Sequence, residues 1–299
     1  MFTRRNAMKS TLIAAAAAAL APAGIGRATA ADLTWQHFPA GPNGFFRAPV
    51  LVSGASEAVL IDAGFTLSDG KALAEAIKAT GKRLTTIYVS QSDPDYYFGL
   101  RPVHEAFPQA RVIAASATIA AIRASVEKKI GAWGPQLQEN GPRAVADIVF
   151  PDAFDGPALS VDGQAIEIVD ATGLPNRRYL WSPALQAVFG GVLVFAGVHV
   201  WTADTQSAEA RAAWVATLDA IIARKPAAVV PGHMTVSAPT DISAVQHTRA
   251  YLLAFEEEVP KAANSAALIA AMKARFPGLG MEVALDIGAK VAKGEMSWG

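Results

Sequence analysis

The residues best equipped for chemistry lie in one segment, Ser90-Gln91-Ser92-Asp93-Pro94-Asp95-Tyr96-Tyr97-Phe98-Gly99-Leu100. In an extended chain alternate side chains point the same way, so Gln91, Asp93 and Asp95 are expected to converge on one side of it. Two carboxylates brought close repel, which raises the pKa of one unless a cation or a donor sits between them. Asp93 and Asp95 therefore fit either a hard-cation site or a general acid/base pair. The plainer alternative is a turn at Asp93-Pro94-Asp95 whose carboxylates cap the next helix. Ser90 and Ser92 are poor nucleophile candidates, because no Gly-x-Ser-x-Gly elbow surrounds them. The chain has five histidines and no cysteine, which excludes thiolate metal sites and disulfides. His37, His104 and His247 have no acidic or histidine partner at ligand spacing and read as surface or packing residues.

Elements must hold this segment in place, and the apolar pattern predicts them. Phe45–Val52 and Ala58–Ile61 read as strands around a turn-rich Ser-Gly-Ala-Ser, with Asn43-Gly44 as a tight turn ahead of them. Ser68–Thr80 has helical periodicity, with Ser68 or Asp69 as its cap and Gly81 as its stop. Leu84–Val89 is a buried strand that empties directly into the polar segment, and Arg111–Ala114 is another, followed by an Ala-rich helix to about Lys128. Further strands are expected at Ala158–Val161, Ala165–Val169, Tyr179–Ser182, Leu185–Phe189 and Ala227–Val230. Helices are expected at Ala208–Ala223, Asp241–Glu258 and Ala266–Arg275. Two runs of strands interleaved with helices predict an α/β (α+β) domain of two facing sheets covered by helices on both outer sides, a four-layer αββα sandwich. Trp133 and Trp201 are candidates for a substrate mouth or for core.

The 299 residues carry 26 basic and 26 acidic side chains, so the chain lacks the basic excess of a nucleic-acid binder. Residues 1–30 have a basic start, an apolar run from Leu12 to Ala23 and an Ala28-Thr29-Ala30 cleavage site, the pattern of an export signal. Arg4-Arg5 within it resembles a twin-arginine address. Its removal leaves 269 residues, 31–299, as a single domain with 22 basic and 26 acidic groups, a periplasmic or secreted protein. No second apolar run is long enough for a membrane helix.

The order of apolar strand, polar loop and Gly99-Leu100 resembles the metallo-β-lactamase superfamily, whose signature at this place is His-x-His-x-Asp-His-x-x-Gly. Val59-Leu60-Ile61-Asp62-Ala63-Gly64 is similar to the family's strand-ending Asp motif, and Val229-Val230-Pro231-Gly232-His233 to its late Pro-Gly-His segment. The resemblance covers roughly residues 40–255 and implies the αββα fold. It also implies a damaged metal site. Gln91 stands at the first His, Asp93 at the second, Tyr96 at the third, Gly173-Leu174 near a further one, and Phe189-Gly190-Gly191 at the metal-bridging Asp. Only Asp95 and His233 match. Zinc prefers nitrogen and sulfur ligands, so an ordinary di-zinc centre is not expected.

What the resemblance leaves open is one divalent ion on Asp93, Asp95 and His233, with the Gln91 amide beside them, or a metal-free pocket in which Asp95 and His233 pair and Tyr96 and Tyr97 fill the vacated space. Asp62 is expected to hydrogen-bond the loop near Ser90, and His199 to lie at the pocket edge or in the core. Two functions follow. One is an exported hydrolase of esters, lactones or related acyl substrates, with Asp95 or the Asp93/Asp95 pair activating water, His233 orienting it or stabilising the oxyanion, and any bound cation polarising the carbonyl. The other is a non-catalytic relative that binds a small molecule or a partner. A β-lactamase proper is the member least consistent with the lost ligands. Oligomeric state is not legible.

Overall fold

The computed structural model describes residues 33–298, and the export segment read at residues 1–30 lies outside the described residues. Ala31–Gly299 forms one compact unit. Its first sheet has six strands in sequence order, β1 (Thr34–His37), β2 (Val50–Ser53), β3 (Glu57–Ile61), β4 (Arg83–Tyr88), β5 (Arg111–Ala114) and β6 (Asp152–Ala153). β1 to β3 are antiparallel neighbours, whereas β3 to β6 run parallel. The parallel pairs need crossovers, supplied by helices α1 (Leu67–Thr80), α2 (Pro94–Tyr97), α3 (Leu100–Ala106) and α4 (Ser116–Leu137).

The second sheet takes β7 (Ala158–Val161), β8 (Gln164–Asp170), β9 (Arg178–Ser182) and β10 (Ala187–Phe189). A short strand β11 (Phe195–Ala196) and helix α5 (Ala208–Ala223) follow, and β12 (Ala228–Val230) then returns beside β10. β13 (His233–Met234) pairs with β11 in a two-stranded ribbon. Helices α6 (Ile242–Glu258), α7 (Ser265–Arg275) and α8 (Glu282–Ala292) complete the chain.

Side-chain alternation assigns the layers. Val50, Val52, Val59 and Ile61 of the first sheet share one buried cluster with Leu159, Ile166, Leu180 and Phe189 of the second, so these faces meet. Their neighbours Leu51, Leu60 and Val188 belong instead to the larger cluster that holds the helix residues Leu73, Ile122, Leu218 and Leu252. Period 2 in the strands thus feeds two cores, one between the sheets and one beneath the helices, which is the αββα arrangement.

Several expected boundaries move. Phe45–Val52 is not one strand: Pro42–Gly44 forms a turn of 3-10 helix, Phe45 and Phe46 take positive φ (59° and 55°), Arg47 makes an isolated bridge to His233, and the ladder of the first sheet begins at Val50. Thr66, not Ser68 or Asp69, caps α1, accepting from the Asp69 amide while the Asp69 carboxylate accepts from the Thr66 amide. α4 continues past Lys128 to Leu137. β1, β6 and α8 have no counterpart in the sequence reading: β1 buries neither face fully, β6 has two residues, and α8 follows Gly280 without a side-chain cap.

Candidate functional site

β4 points the chain at the site and Pro94 then breaks the extended geometry. Proline suits the first turn of a helix, and Asp93 takes the N-cap position of α2, so Gln91, Asp93 and Asp95 do not line up as an extended segment would. Nor does the Asp93 carboxylate cap the helix. It accepts from Lys129 Nζ at 3.0 Å and lies 4.0 Å from Arg177. Burial works to raise the Asp93 pKa, but Lys129 and Arg177 outweigh it and hold the carboxyl below its usual range. Gln91 is turned inward as well, its Oε1 accepting from the Ser92 amide at 2.7 Å.

Asp95 and His233 do come together. Pro231-Gly232 brings β13 against the loop at residues 45–48, where the Met234 amide donates to Phe46 O and the Ala48 amide to Gly232 O. Gly232 has no alternative here, because a Cβ would lie 1.8 Å from the Gly191 carbonyl oxygen. His233 stacks on Phe195, ring centroids 4.9 Å apart, and its Nδ1 bonds Phe45 O at 2.9 Å. A carbonyl only accepts, so Nδ1 carries the proton and the Nε2 lone pair faces inward. There it meets the Tyr96 hydroxyl at 3.4 Å and Asp95 Oδ2 at 3.3 Å. The Asp95 contact is off the line of a good hydrogen bond, and Oδ2 is left without one.

Their titration makes this contact something other than an ion pair. Burial, together with the nearby Arg47 charge, lowers the His233 pKa to about 3. Burial and the charge of Asp93 push the Asp95 pKa up to about 7, against a smaller opposing effect of Arg47. Between those values the ring is neutral and the carboxyl protonated, so one proton is available to the gap between Oδ2 and Nε2.

Arg47, which sequence reasoning missed, lies behind this pair and is 1% exposed. One arm of its guanidinium pairs with Asp62, another donates to Gly232 O, and its carbon lies 3.9 Å from the Tyr96 ring centroid. Asp62 accepts in addition from the Ser90 amide at 2.7 Å and the Ser90 hydroxyl at 2.9 Å. Burial raises the Asp62 pKa, with Arg47 and the Ser90 donors working against it. The backbone is bent to achieve this: Asp62, like Phe45 and Phe46, has a positive φ, a conformation that side chains with Cβ rarely adopt and that concentrates at functional sites. The one readable signal was a charged residue inside the apolar run Phe45–Val52.

A cleft of about 700 Å³ opens over Asp95, His233, Tyr96, Gln91 and Asp93. Trp133 and Trp201 line it, as do Phe45, Phe65 and Trp298. Asp62, Tyr97 and His199 do not. Asp62 is beneath the floor, Tyr97 is buried against the Phe98 ring, and His199 is 1% exposed with Nδ1 bonded to Tyr251 Oη at 3.0 Å. Of its two expected places, pocket edge or core, His199 therefore takes the core, which corrects its inclusion among the pocket residues.

The donor set does not fit a di-zinc centre. Asp93 is committed to cations, Gln91 to its own loop, and Tyr96 to a hydroxyl beside His233. Among the described residues no group of three or more His, Cys, Asp or Glu side chains gathers as a metal site, so the proposed set Asp93, Asp95 and His233 is not assembled as one. Arg47 supplies the buried positive charge at this floor instead.

The fold, the strand-ending Asp62, the α2 loop and the Pro231-Gly232-His233 turn together define a metallo-β-lactamase-type domain. The chain belongs to the metallo-β-lactamase superfamily, whose family model matches residues 43–233. Among solved structures it is similar to a metallo-beta-lactamase family protein from Thermus thermophilus, with 17% identity, coverage of 88% of this chain and 91% of that one, and TM-score 0.59. It is also similar to a metallo-beta-lactamase from Pontibacter korlensis, with 19% identity, coverage of 75% and 96%, and TM-score 0.52. At such identities the likeness is one of fold. No curated protein matches the sequence. No helix among the described residues is long and apolar enough to cross a membrane.

Proposed function

We propose that the chain is a hydrolase of esters, lactones or related acyl compounds whose proton is handled by Asp95 and His233 without a zinc pair. The observation that carries this reading is the approach of Asp95 Oδ2 to His233 Nε2 at 3.3 Å on the floor of a substrate-sized cleft. A base works best when its pKa lies near the operating pH, and the Asp95 value of about 7 meets that condition. In its ionised form Asp95 takes a proton from water as the oxygen attacks the acyl carbon. The resulting Asp95 carboxyl returns the proton to the departing alkoxide, which balances ester and water against acid and alcohol. His233, neutral at working pH, orients the water or the carboxyl through its Nε2 lone pair and has no proton there to give. The oxyanion therefore needs another donor, and the Tyr96 hydroxyl fills that role. Burial first, and the surrounding carboxylates after it, keep its pKa well above the usual value, so it remains protonated.

A panel of aryl and alkyl esters and lactones tests this. Turnover should follow the ionisation of Asp95 near pH 7, and Asp95→Asn should lose about 10²–10⁴-fold in kcat/KM. No turnover, or an Asn variant equal to the parent, overturns it. A second reading, a non-catalytic binding protein, is favoured by the engagement of Asp93 with Lys129, which removes one carboxylate from the reactive floor. Saturable binding without turnover would establish it.

We propose also that residues 1–30 export the chain by the twin-arginine route to the periplasm or beyond. Support comes from Arg4-Arg5, the Ala-rich run and the Ala28-Thr29-Ala30 site. Arg4→Lys with Arg5→Lys should retain the protein in the cytoplasmic fraction; unchanged export overturns this.

A further inference from the structure

From the reactive floor an aromatic wall leads to the cleft mouth. Phe45, whose carbonyl holds His233, contacts Trp133 edge to face with centroids 5.0 Å apart, Phe65 at 5.4 Å and Trp201 at 6.4 Å. Trp201 in turn meets Trp298 at 5.3 Å. The outer pair is fixed by one carboxylate. Asp204 Oδ2 accepts from the Trp201 indole N–H and Oδ1 from the Trp298 indole N–H, each at 2.8 Å. Gln206 Nε2 donates to Trp298 O at 2.9 Å, which ties down the backbone as well. Two indoles anchored by their N–H groups present ring surface to the cavity and cannot swing aside without breaking a hydrogen bond.

α4 lines the cleft with one helical face, on which small residues alternate with Lys128, Lys129 and Trp133. Ala121, Ala124, Ser125 and Ala132 recur there at helical spacing, whereas the face turned to the core carries Ile122, Val126 and Ile130. Small residues beside rigid rings leave a slot that a flat body fills better than a bulky branched one.

Charge sets the other requirement. Lys128, Lys129 and Arg177 line the cleft against Asp93 and Asp204, with Asp95 held largely protonated below pH 7. Arg177 lies between the two acids, 4.0 Å from Asp93 and 3.6 Å from Asp204, both beyond hydrogen-bond length, and its side chain is 14% exposed. Its forked donors suit a carboxylate or similar anion.

We propose that the cleft selects a planar aromatic compound bearing an anionic group, with the rings against the Trp133, Trp201 and Trp298 wall and the anion at Arg177. Trp298 is then a specificity-determining residue. The inference deepens the hydrolase reading by naming its substrate class, yet its binding test does not depend on turnover.

Titration calorimetry of the full chain with three probes separates the two requirements: 2-naphthoate, the neutral 2-naphthylmethanol and the aliphatic anion decanoate. 2-Naphthoate should bind about tenfold more tightly than 2-naphthylmethanol through the charged contact. It should exceed decanoate by about two- to tenfold through ring contacts. Trp298→Ala should erase the advantage over decanoate, and Arg177→Gln the advantage over 2-naphthylmethanol. Equal binding of the three probes by the unmodified chain, or no saturable binding, overturns the proposal. If selective binding is found and no ester is turned over, the hydrolase reading falls and this one stands; turnover with no aryl-anion preference does the reverse.

Discussion

Asp95→Asn should change how stability depends on pH, in a direction fixed by the site. The Asp95 carboxyl has a pKa of about 7 in the fold against an ordinary 3.8, because burial and the charge of Asp93 disfavour ionisation. Between those values the folded state holds a proton that the unfolded chain releases, so this group's contribution to stability falls as pH rises. His233 acts oppositely: with a folded pKa of about 3 against 6.5, its burial costs stability that is recovered as pH rises. Over the shared window the two contributions nearly cancel in the parent protein. Asparagine is isosteric, keeps a donor toward Nε2 and does not titrate, so the variant exposes the histidine's slope alone. At about 1.36 kcal/mol per pKa unit, the Asn variant should gain about 2.7 kcal/mol on the parent between about pH 4.5 and 6.5. The Asp95 side chain is 11% exposed, so solvent screening takes little from this figure. Urea unfolding of both proteins at several pH values across that window measures it. A difference that stays flat, or that favours the parent as pH rises, refutes the claim that Asp95 is held protonated in the fold.

Three further outcomes are expected. Arg47→Met leaves the Asp62 carboxylate buried without its cation and should cost about 3–5 kcal/mol in denaturant unfolding; a loss below about 1 kcal/mol would show that the pair is not the anchor of the floor. His199→Leu should leave ester turnover unchanged while destabilising the fold by about 1–3 kcal/mol, because the buried Tyr251 hydroxyl loses its partner, and a change in KM would place His199 at the cleft after all. Zinc in slight excess should neither be retained at two equivalents after desalting nor raise the melting temperature, since three of the expected imidazole positions carry Gln91, Asp93 and Tyr96; stoichiometric retention of two ions would refute the donor-set argument.

Local pattern carried much of the fold. Ala158–Val161, Arg111–Ala114 and Ala208–Ala223 have the bounds that the apolar pattern predicts: the first alternates, the second is a short β-branched run buried on both faces, and the third starts at a Ser207 cap. The loop after β4 defeated the same reasoning about geometry, since a single proline turned an extended segment into a helical turn, although Asp93 and Asp95 still line one cleft and interact. Long-range partners were invisible altogether. Arg47 meets Asp62 and Gly232, the latter 185 residues away, and the mouth depends on Trp298 reaching Asp204 across 94 residues. Such contacts leave no spacing to read.

The imidazoles missing from the family's positions and the buried Arg47 belong to one balance of charge. In a fold whose floor is lined by Asp93, Asp95 and Tyr96 above a buried Asp62, some positive charge must offset the carboxylates or they protonate. A zinc pair does so only with enough neutral nitrogen donors, and among the described residues this floor offers His233 alone. Side-chain cations take over that compensation, Arg47 neutralising Asp62 from beneath and Lys129, with Arg177, neutralising Asp93 from the side. At Asp95 burial, and after it the charge of Asp93, outweighs the pull of Arg47 and Lys129 and raises the pKa to about 7, whereas at Asp93 Lys129 and Arg177 outweigh burial and lower it. A resident side-chain cation cannot be removed by a chelator and cannot polarise a carbonyl from beneath the floor. On the hydrolase reading proposed above, the chemistry of the cleft rests on the proton of Asp95 beside His233 and on the Tyr96 hydroxyl that faces them.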